Sequence, residues 1–179
     1  MATPDPLSQQ DVDSLLKGAA RPAAPTEVVP YNFRRPPRIS RERQAALDAM
    51  HERLASGLQG VFSSRLRRNV DIGVVSVVQA TFGEFLLALS TPCAAYIVEL
   101  GDERSSSGVV DFDPELAAFL VDRLFGGTGE APGPRRALTA LEQGVLGDLT
   151  DRLLAQLQTA YADTVPIAPR RSGFEAVAD

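Results

Sequence analysis

Residues 93–112 read CAAYIVELGDERSSSGVVDF, and this stretch decides the fold class. Residues 93–100 and 108–112 are short apolar runs rich in β-branched and aromatic side chains, which is typical of strands. The polar sequence GDERSSS between them has the composition of a turn, so the two runs predict a β-hairpin. Cys93 stands among small residues at the start of the first run, and we expect it to be a packing residue.

Two helices are predicted downstream of this hairpin. Asp113 is a suitable N-cap and Pro114 a suitable first residue for the earlier helix. Its expected apolar face comprises Leu116, Phe119, Leu120 and Leu124. Thr139 and Glu142 form a capping box in front of the later and longer helix. The expected apolar face of that helix comprises Leu141, Val145, Leu149, Leu153 and Leu157.

Upstream of the hairpin, the sequence predicts a long helix, a strand and a short helix. The long helix begins after Ser40, and its apolar face comprises Leu47, Met50, Leu54, Leu58, Val61, Phe62 and Leu66. Residues 70–79, VDIGVVSVVQ, are β-branched and predict a strand. Thr81 and Glu84 form a second capping box, before a short helix with apolar positions Phe82, Phe85, Leu86 and Leu89.

The order of these elements predicts a layered α/β domain. Helix, strand, helix, strand, strand, helix and helix follow one another, which gives a small mixed or antiparallel sheet covered by long helices. Residues 162–179 show no clear periodicity. We therefore expect the domain to be incomplete at its C-terminal end.

Composition excludes several classes of function. The net charge of −5 over 179 residues disfavours general nucleic-acid binding. One cysteine and one histidine, His51, exclude a disulfide framework and a multi-histidine metal site within one chain. No run approaches the ~20 apolar residues that span a bilayer, and the N-terminus does not read as a signal peptide. We expect an intracellular, soluble, non-catalytic chain without a cofactor, and His51 to be a surface or boundary residue.

Residues 1–30 read as a flexible, proline-rich tail that carries one apolar segment, LSQQDVDSLL, at residues 7–16. Ser8 and Asp11 resemble a capping box, and Gly18 would end a helix over residues 7–17. The apolar side chains on one face of that helix are Leu7, Val12, Leu15 and Leu16. Because so short a helix is marginal alone, it either docks on its own domain or orders on a partner, and the pattern leaves both open.

Gly126, Gly127, Thr128 and Gly129 form the sharpest motif of the domain. A phosphate-binding loop is excluded because the glycines follow the C-terminal end of a helix, and no Gly-Lys-Ser/Thr follows them. A dinucleotide fingerprint would need a strand before the glycines. A helix cap would need Gly126 alone, so the extra glycines admit close approach of a partner to the backbone. The pattern alone favours a cap and connector over a partner site.

Four segments resemble one protein family in order and spacing. LSQQDVDSLL resembles the N-terminal segment of the flagellar motor switch protein FliM family. YNFRRPPRISRERQAALDAMHERLASGL, residues 31–58, resembles its domain entry and first long helix. VDRLFGGTGE, residues 121–130, resembles its glycine loop, and LTALEQGVLGDLTDRLL, residues 138–154, resembles the helix after that loop. The resemblance covers roughly residues 5–165.

The resemblance implies a set of partners and a location. It implies a CheC-like middle domain over residues 31–165, partial in this chain, and a place at the cytoplasmic face of the inner membrane in the C-ring of the flagellar basal body. The loop of Gly126, Gly127, Thr128 and Gly129 would contact FliG, and neighbouring FliM copies would complete a ring. No membrane insertion is implied. The tail would bind phosphorylated CheY through Leu7, Ser8, Gln9, Gln10, Asp11, Val12, Asp13, Leu15 and Leu16.

The chain departs from the family at its C-terminal end. The sequence RRSGFEAVAD does not match the family at this point, so residues 166–179 read as a divergent end. We therefore expect the family's C-terminal domain, which pairs with FliN, to be absent from this chain, and FliN to be a doubtful partner. An inactive truncated remnant is therefore one alternative to a working switch component.

A response-regulator phosphatase of the CheC or CheX type is the other alternative. Those proteins use a Glu-x-x-Asn pair on a helix. The only asparagines here are Asn32 and Asn69, and the residues three positions before them are Val29 and Leu66. The sequence therefore lacks that pair.

Overall fold

The structure, a computed structural model, describes residues 39–101, 106–129 and 135–177. The predicted tail helix and the residues expected to bind CheY lie outside these ranges. Four helices and three strands are present in the described residues. They are α1 (Arg41–Leu66), α2 (Phe82–Ala88), β1 (Ala94–Glu99), β2 (Ser107–Phe112), α3 (Pro114–Leu124), α4 (Ala140–Tyr161) and β3 (Arg170–Glu175).

Side-chain caps start the helices where the sequence predicts them. The Thr139 hydroxyl accepts from the Glu142 backbone N–H, and the Glu142 carboxylate accepts from the Thr139 backbone N–H at 2.8 Å, which is the predicted capping box. The Arg136 guanidinium donates to both oxygens of the same carboxylate and lowers the pKa of Glu142 to about 2. Thr81 and Glu84 form the second predicted box. Side chains also cap α1 and α3, at Ser40 and Asp113.

The sheet is small and antiparallel throughout, with the order β2-β1-β3. The predicted hairpin is confirmed, since Ala94 pairs with Phe112 and Glu99 with Ser107. The third strand, β3, pairs with the other edge of β1. This strand lies in the segment that the sequence pattern left without a periodicity.

The prediction of a strand at residues 70–79 is wrong, because this segment is extended but joins no sheet of the described residues. It runs along α1 instead, where polar side chains of the helix bind its backbone. Ser63 Oγ accepts from Val70 N–H at 3.0 Å, and Gln59 Nε2 donates to the Ile72 carbonyl at 3.2 Å. Gln44 Nε2 donates to the Val77 carbonyl at 2.8 Å. β-Branched residues favour an extended backbone, but a strand also needs a hydrogen-bonded neighbour, and none of the three described strands pairs with this segment.

Tyr96 of β1 lies at the centre of the core and is 1% exposed. Its hydroxyl donates to the Gln143 carbonyl at 2.7 Å, and its ring packs edge-on against Phe112 and Phe174. Burial raises the pKa of Tyr96 to about 12. The Arg171 guanidinium covers the ring at 5.5 Å. One aromatic side chain of the central strand therefore contacts α4 and both neighbouring strands.

The buried faces of α3 and α4 match the predicted ones only in part, since Leu120 and Leu149 are buried as expected. Leu116 and Leu141, both expected inside, are 46% and 69% exposed. The side of α4 that faces the core comprises Leu146, Gly147, Leu149, Thr150 and Leu154. Gly147 leaves room for β3, because a Cβ there would collide with the guanidinium of Arg171 on that strand. The leucine spacing could not show that β3 packs against a glycine and a threonine of α4.

Candidate functional site

The glycine motif begins as the C-terminal cap of α3. The Gly126 N–H donates to the Arg123 carbonyl at 3.1 Å, and the Gly127 N–H donates to the Asp122 carbonyl at 2.8 Å. Gly126 has a φ of +93°, in the left-handed region that favours glycine. These bonds form a Schellman motif. Gly126 is therefore the helix cap that the sequence predicted.

The other two glycines are required by contacts within the loop. A Cβ on Gly127 would collide with the carboxylate of Asp122. Gly129 has a φ of +73°, and a Cβ there would lie 2.5 Å from Cε2 of Phe119. The Asp122 carboxylate in turn accepts from the Gly129 N–H at 2.8 Å. The extra glycines thus have a structural reason that the sequence pattern did not reveal.

Arg123 ties this loop to the end of α1. Its Nη1 donates to the Gly127 carbonyl and its Nη2 to the Leu66 carbonyl, both at 2.8 Å. The chain positions of Gly127 and Leu66 are far apart, so one guanidinium fixes the loop relative to the long helix. Arg123 and Asp122 are the residues that sequence reasoning missed. The signal was the Asp-Arg pair within VDRLFGGTGE.

These bonds decide what the loop can bind. The N–H groups of Gly126, Gly127 and Gly129 already donate to acceptors of α3, so they are not free to cradle a phosphate. What the loop presents is a preformed tip, where Gly126 and Thr128 are exposed. Such a tip suits contact with a protein surface, because a loop that is already ordered loses little conformational entropy on binding.

A groove of about 450 Å³ lies beside the loop, between the end of α1 and the end of α3. Its walls include Arg65 and Arg67 from the end of α1. Phe125, which is 56% exposed, also lines the groove. A large exposed aromatic side chain beside a rigid loop is typical of protein-binding surfaces. Loop and groove together are the candidate site.

The residue types that could serve in catalysis or metal binding, His51 and Cys93, make only structural contacts. His51 Nδ1 donates to the Leu47 carbonyl at 2.8 Å, and its ring lies edge-on to Tyr161. Cys93 is buried, and burial raises the pKa of its thiol. Across the described ranges, no group of three or more His, Cys, Asp or Glu residues could hold a metal ion.

Comparison with known proteins identifies the family. The family model described as flagellar motor switch protein FliM matches residues 40–179. The chain belongs to the FliM family. The FliM of Treponema pallidum is 33% identical over 179 residues, and that of Borreliella burgdorferi is 32% identical over 190. These alignments cover 94% and 96% of this chain, but only 52% and 54% of the relatives. The chain thus spans about half the length of the curated FliM proteins it matches.

Solved FliM structures share this fold. A chain from the FliG–FliM complex of H. pylori superposes with a TM-score of 0.75 at 28% identity, covering 79% of this chain and 77% of that one. The isolated FliM middle domain of H. pylori gives 0.70 at 26% identity, covering 79% and 75%. The predicted layered α/β class with a small mixed or antiparallel sheet is therefore confirmed as that of the FliM middle domain.

Family membership also bears on the wider expectations. FliM is a motor switch protein of the flagellar basal body rather than an enzyme, so the non-catalytic prediction agrees with the family. Among the helices of the described residues, none is long and apolar enough to cross a membrane.

Proposed function

We propose that this chain is a component of the flagellar motor switch that binds FliG through Gly126, Gly127, Thr128 and Gly129. The observation that carries the proposal is the preformed loop, held by Asp122 and Arg123, which exposes its tip beside Phe125. The similar H. pylori chain was solved as a FliG–FliM complex, which supports FliG as the partner. Neighbouring FliM copies would repeat the same contact around a ring at the cytoplasmic face of the inner membrane.

The proposal includes a second contact, with phosphorylated CheY, through residues 7–16. Leu7, Val12, Leu15 and Leu16 would form the apolar side of an amphipathic helix, and Asp11 and Asp13 lie in its early turns. A tail of this composition raises the local concentration of the regulator near the rotor. Binding of the regulator would then bias the equilibrium between the two directions of rotation.

The FliG contact is tested by titrating the purified full chain with FliG from the same organism. We expect saturable one-to-one binding with a dissociation constant on the order of micromolar, typical of a small specific interface. Absence of a complex at FliG concentrations far above that range would contradict the proposed function and favour an inactive remnant.

The CheY contact is tested with the full chain and its Leu15→Ala and Leu16→Ala variants. We expect each variant to weaken binding of CheY carrying a phosphoryl mimic by about tenfold, because each removes an apolar anchor of the helix. The melting temperature should not change if the tail is independent of the domain. A fall in melting temperature would show instead that the tail docks on its own domain.

A further inference from the structure

Three arginines line the groove beside the glycine loop and form no ion pair with a carboxylate of the described residues. Within residues 39–101, 106–129 and 135–177, four arginines form ion pairs with carboxylates; they are Arg135, Arg136, Arg170 and Arg171. The groove arginines Arg65, Arg67 and Arg123 form none there. This local excess stands out in a chain whose net charge is −5.

Arg67 occupies a backbone position that does not favour it. It follows the last residue of α1 with a φ of +51°, in the left-handed region where glycine or asparagine is the usual cap. An arginine in this conformation is strained, and such strain clusters at binding sites. Arg67 lines the groove rather than standing apart from it.

The groove offers apolar surface as well as charge. Leu124 is half-buried at its lining, and the Phe125 ring is 56% exposed. Arg123 does not project freely, because its Nη atoms hold the Leu66 and Gly127 carbonyls. The two exposed guanidinium groups that remain for a ligand are those of Arg65 and Arg67.

We propose that this groove takes an acidic side chain of FliG, flanked by an apolar residue that packs on Phe125. A carboxylate is the group whose geometry and charge match a guanidinium. The acidic side chain lies between Arg65 and Arg67 while the glycine loop contacts the adjoining FliG surface. This inference rests on the proposed FliG contact and adds to it the chemistry by which FliG is recognised.

The test compares two charge reversals in the full chain. Arg65→Glu places a negative charge in the groove, whereas Arg68→Glu makes the same change at an exposed residue that does not line it. We expect Arg65→Glu to weaken FliG binding by about tenfold and Arg68→Glu by less than about twofold. The affinity of Arg65→Glu should also depend less on salt than that of the unmodified chain. Thermal melting of both variants checks that loss of a basic residue near the end of α1 has not unfolded the helix.

A charge-swap series identifies the partner residue. Acidic residues of FliG are changed one at a time to lysine, and one such variant should restore binding to Arg65→Glu. Equal losses in the two arginine variants, no restoring lysine, or tighter binding by Arg65→Glu would each overturn the proposal. An unchanged affinity in Arg65→Glu would overturn it too, yet leave FliG binding itself established. If the unmodified chain does not bind FliG, the proposed function fails first.

Discussion

Replacing Gly127 by valine is expected to weaken FliG binding by at least about thirtyfold, the size of a hot-spot loss. A Cβ at this position collides with the Asp122 carboxylate. That carboxylate can swing away only by releasing the Gly129 N–H, to which it is bonded at 2.8 Å. The loop would then lose the preformed shape that the proposed contact needs. Affinity is measured by titration of the full chain with FliG.

Gly144→Ala is the matched control for this variant. Gly144 is an exposed helical glycine, and an added Cβ would meet nothing within 4 Å, so alanine there should leave FliG binding unchanged and stabilise α4 by about 1 kcal/mol. Thr128→Arg provides an independent check, because it adds bulk at the exposed tip without touching the bonds of the two glycines. If both loop variants bind FliG like the unmodified chain, the loop is not the contact.

Most of the secondary structure could be predicted from the sequence, because the patterns that mark helix starts and hairpins involve residues close together in the chain. The two capping boxes, at Thr139 with Glu142 and at Thr81 with Glu84, each place a polar pair three residues apart, and both occur as predicted. The hairpin of β1 and β2 follows from two apolar runs and a polar turn. Features of this kind involve neighbours in the chain and can be recognised in one sequence.

The errors arose where the decisive contact is distant in sequence. Residues 70–79 have the composition of a strand, but their backbone is bound by Ser63, Gln59 and Gln44 of α1. The strand β3 is mostly polar and exposed. Its sequence therefore has no apolar pattern from which its pairing with β1 could be predicted. Periodicity reports which residues share a face, not which element lies against that face.

In the candidate site, too, the features that are local in sequence could be predicted, and those that depend on distant contacts could not. The sequence singles out the four glycine-loop positions as a candidate contact, whereas the role of Arg123 depends on the carbonyl of Leu66, at the end of another helix. The groove and its cluster of arginines exist only because α1 and α3 end side by side. No spacing within the chain predicts that juxtaposition.

Leu146→Ala should cause a large loss of stability, about 3 kcal/mol in the free energy of unfolding. Leu146 is fully buried in the core cluster, and truncation leaves a cavity that the packed α4 and sheet cannot close. The midpoint of thermal unfolding should fall by roughly 10 °C. Chemical and thermal denaturation of the full chain, followed by circular dichroism, measure the two effects.

Leu141→Ala tests whether the buried face of α4 is the one in the structure. Leu141 belongs to the face predicted from leucine spacing, but its side chain is 69% exposed. Its truncation should therefore change the free energy of unfolding by no more than about 0.5 kcal/mol. Comparable losses in the two variants would mean that α4 is rotated toward the face predicted from spacing. The packing of Gly147 against Arg171 would then be lost, because that contact requires the face centred on Leu146 and Leu149 to lie inward.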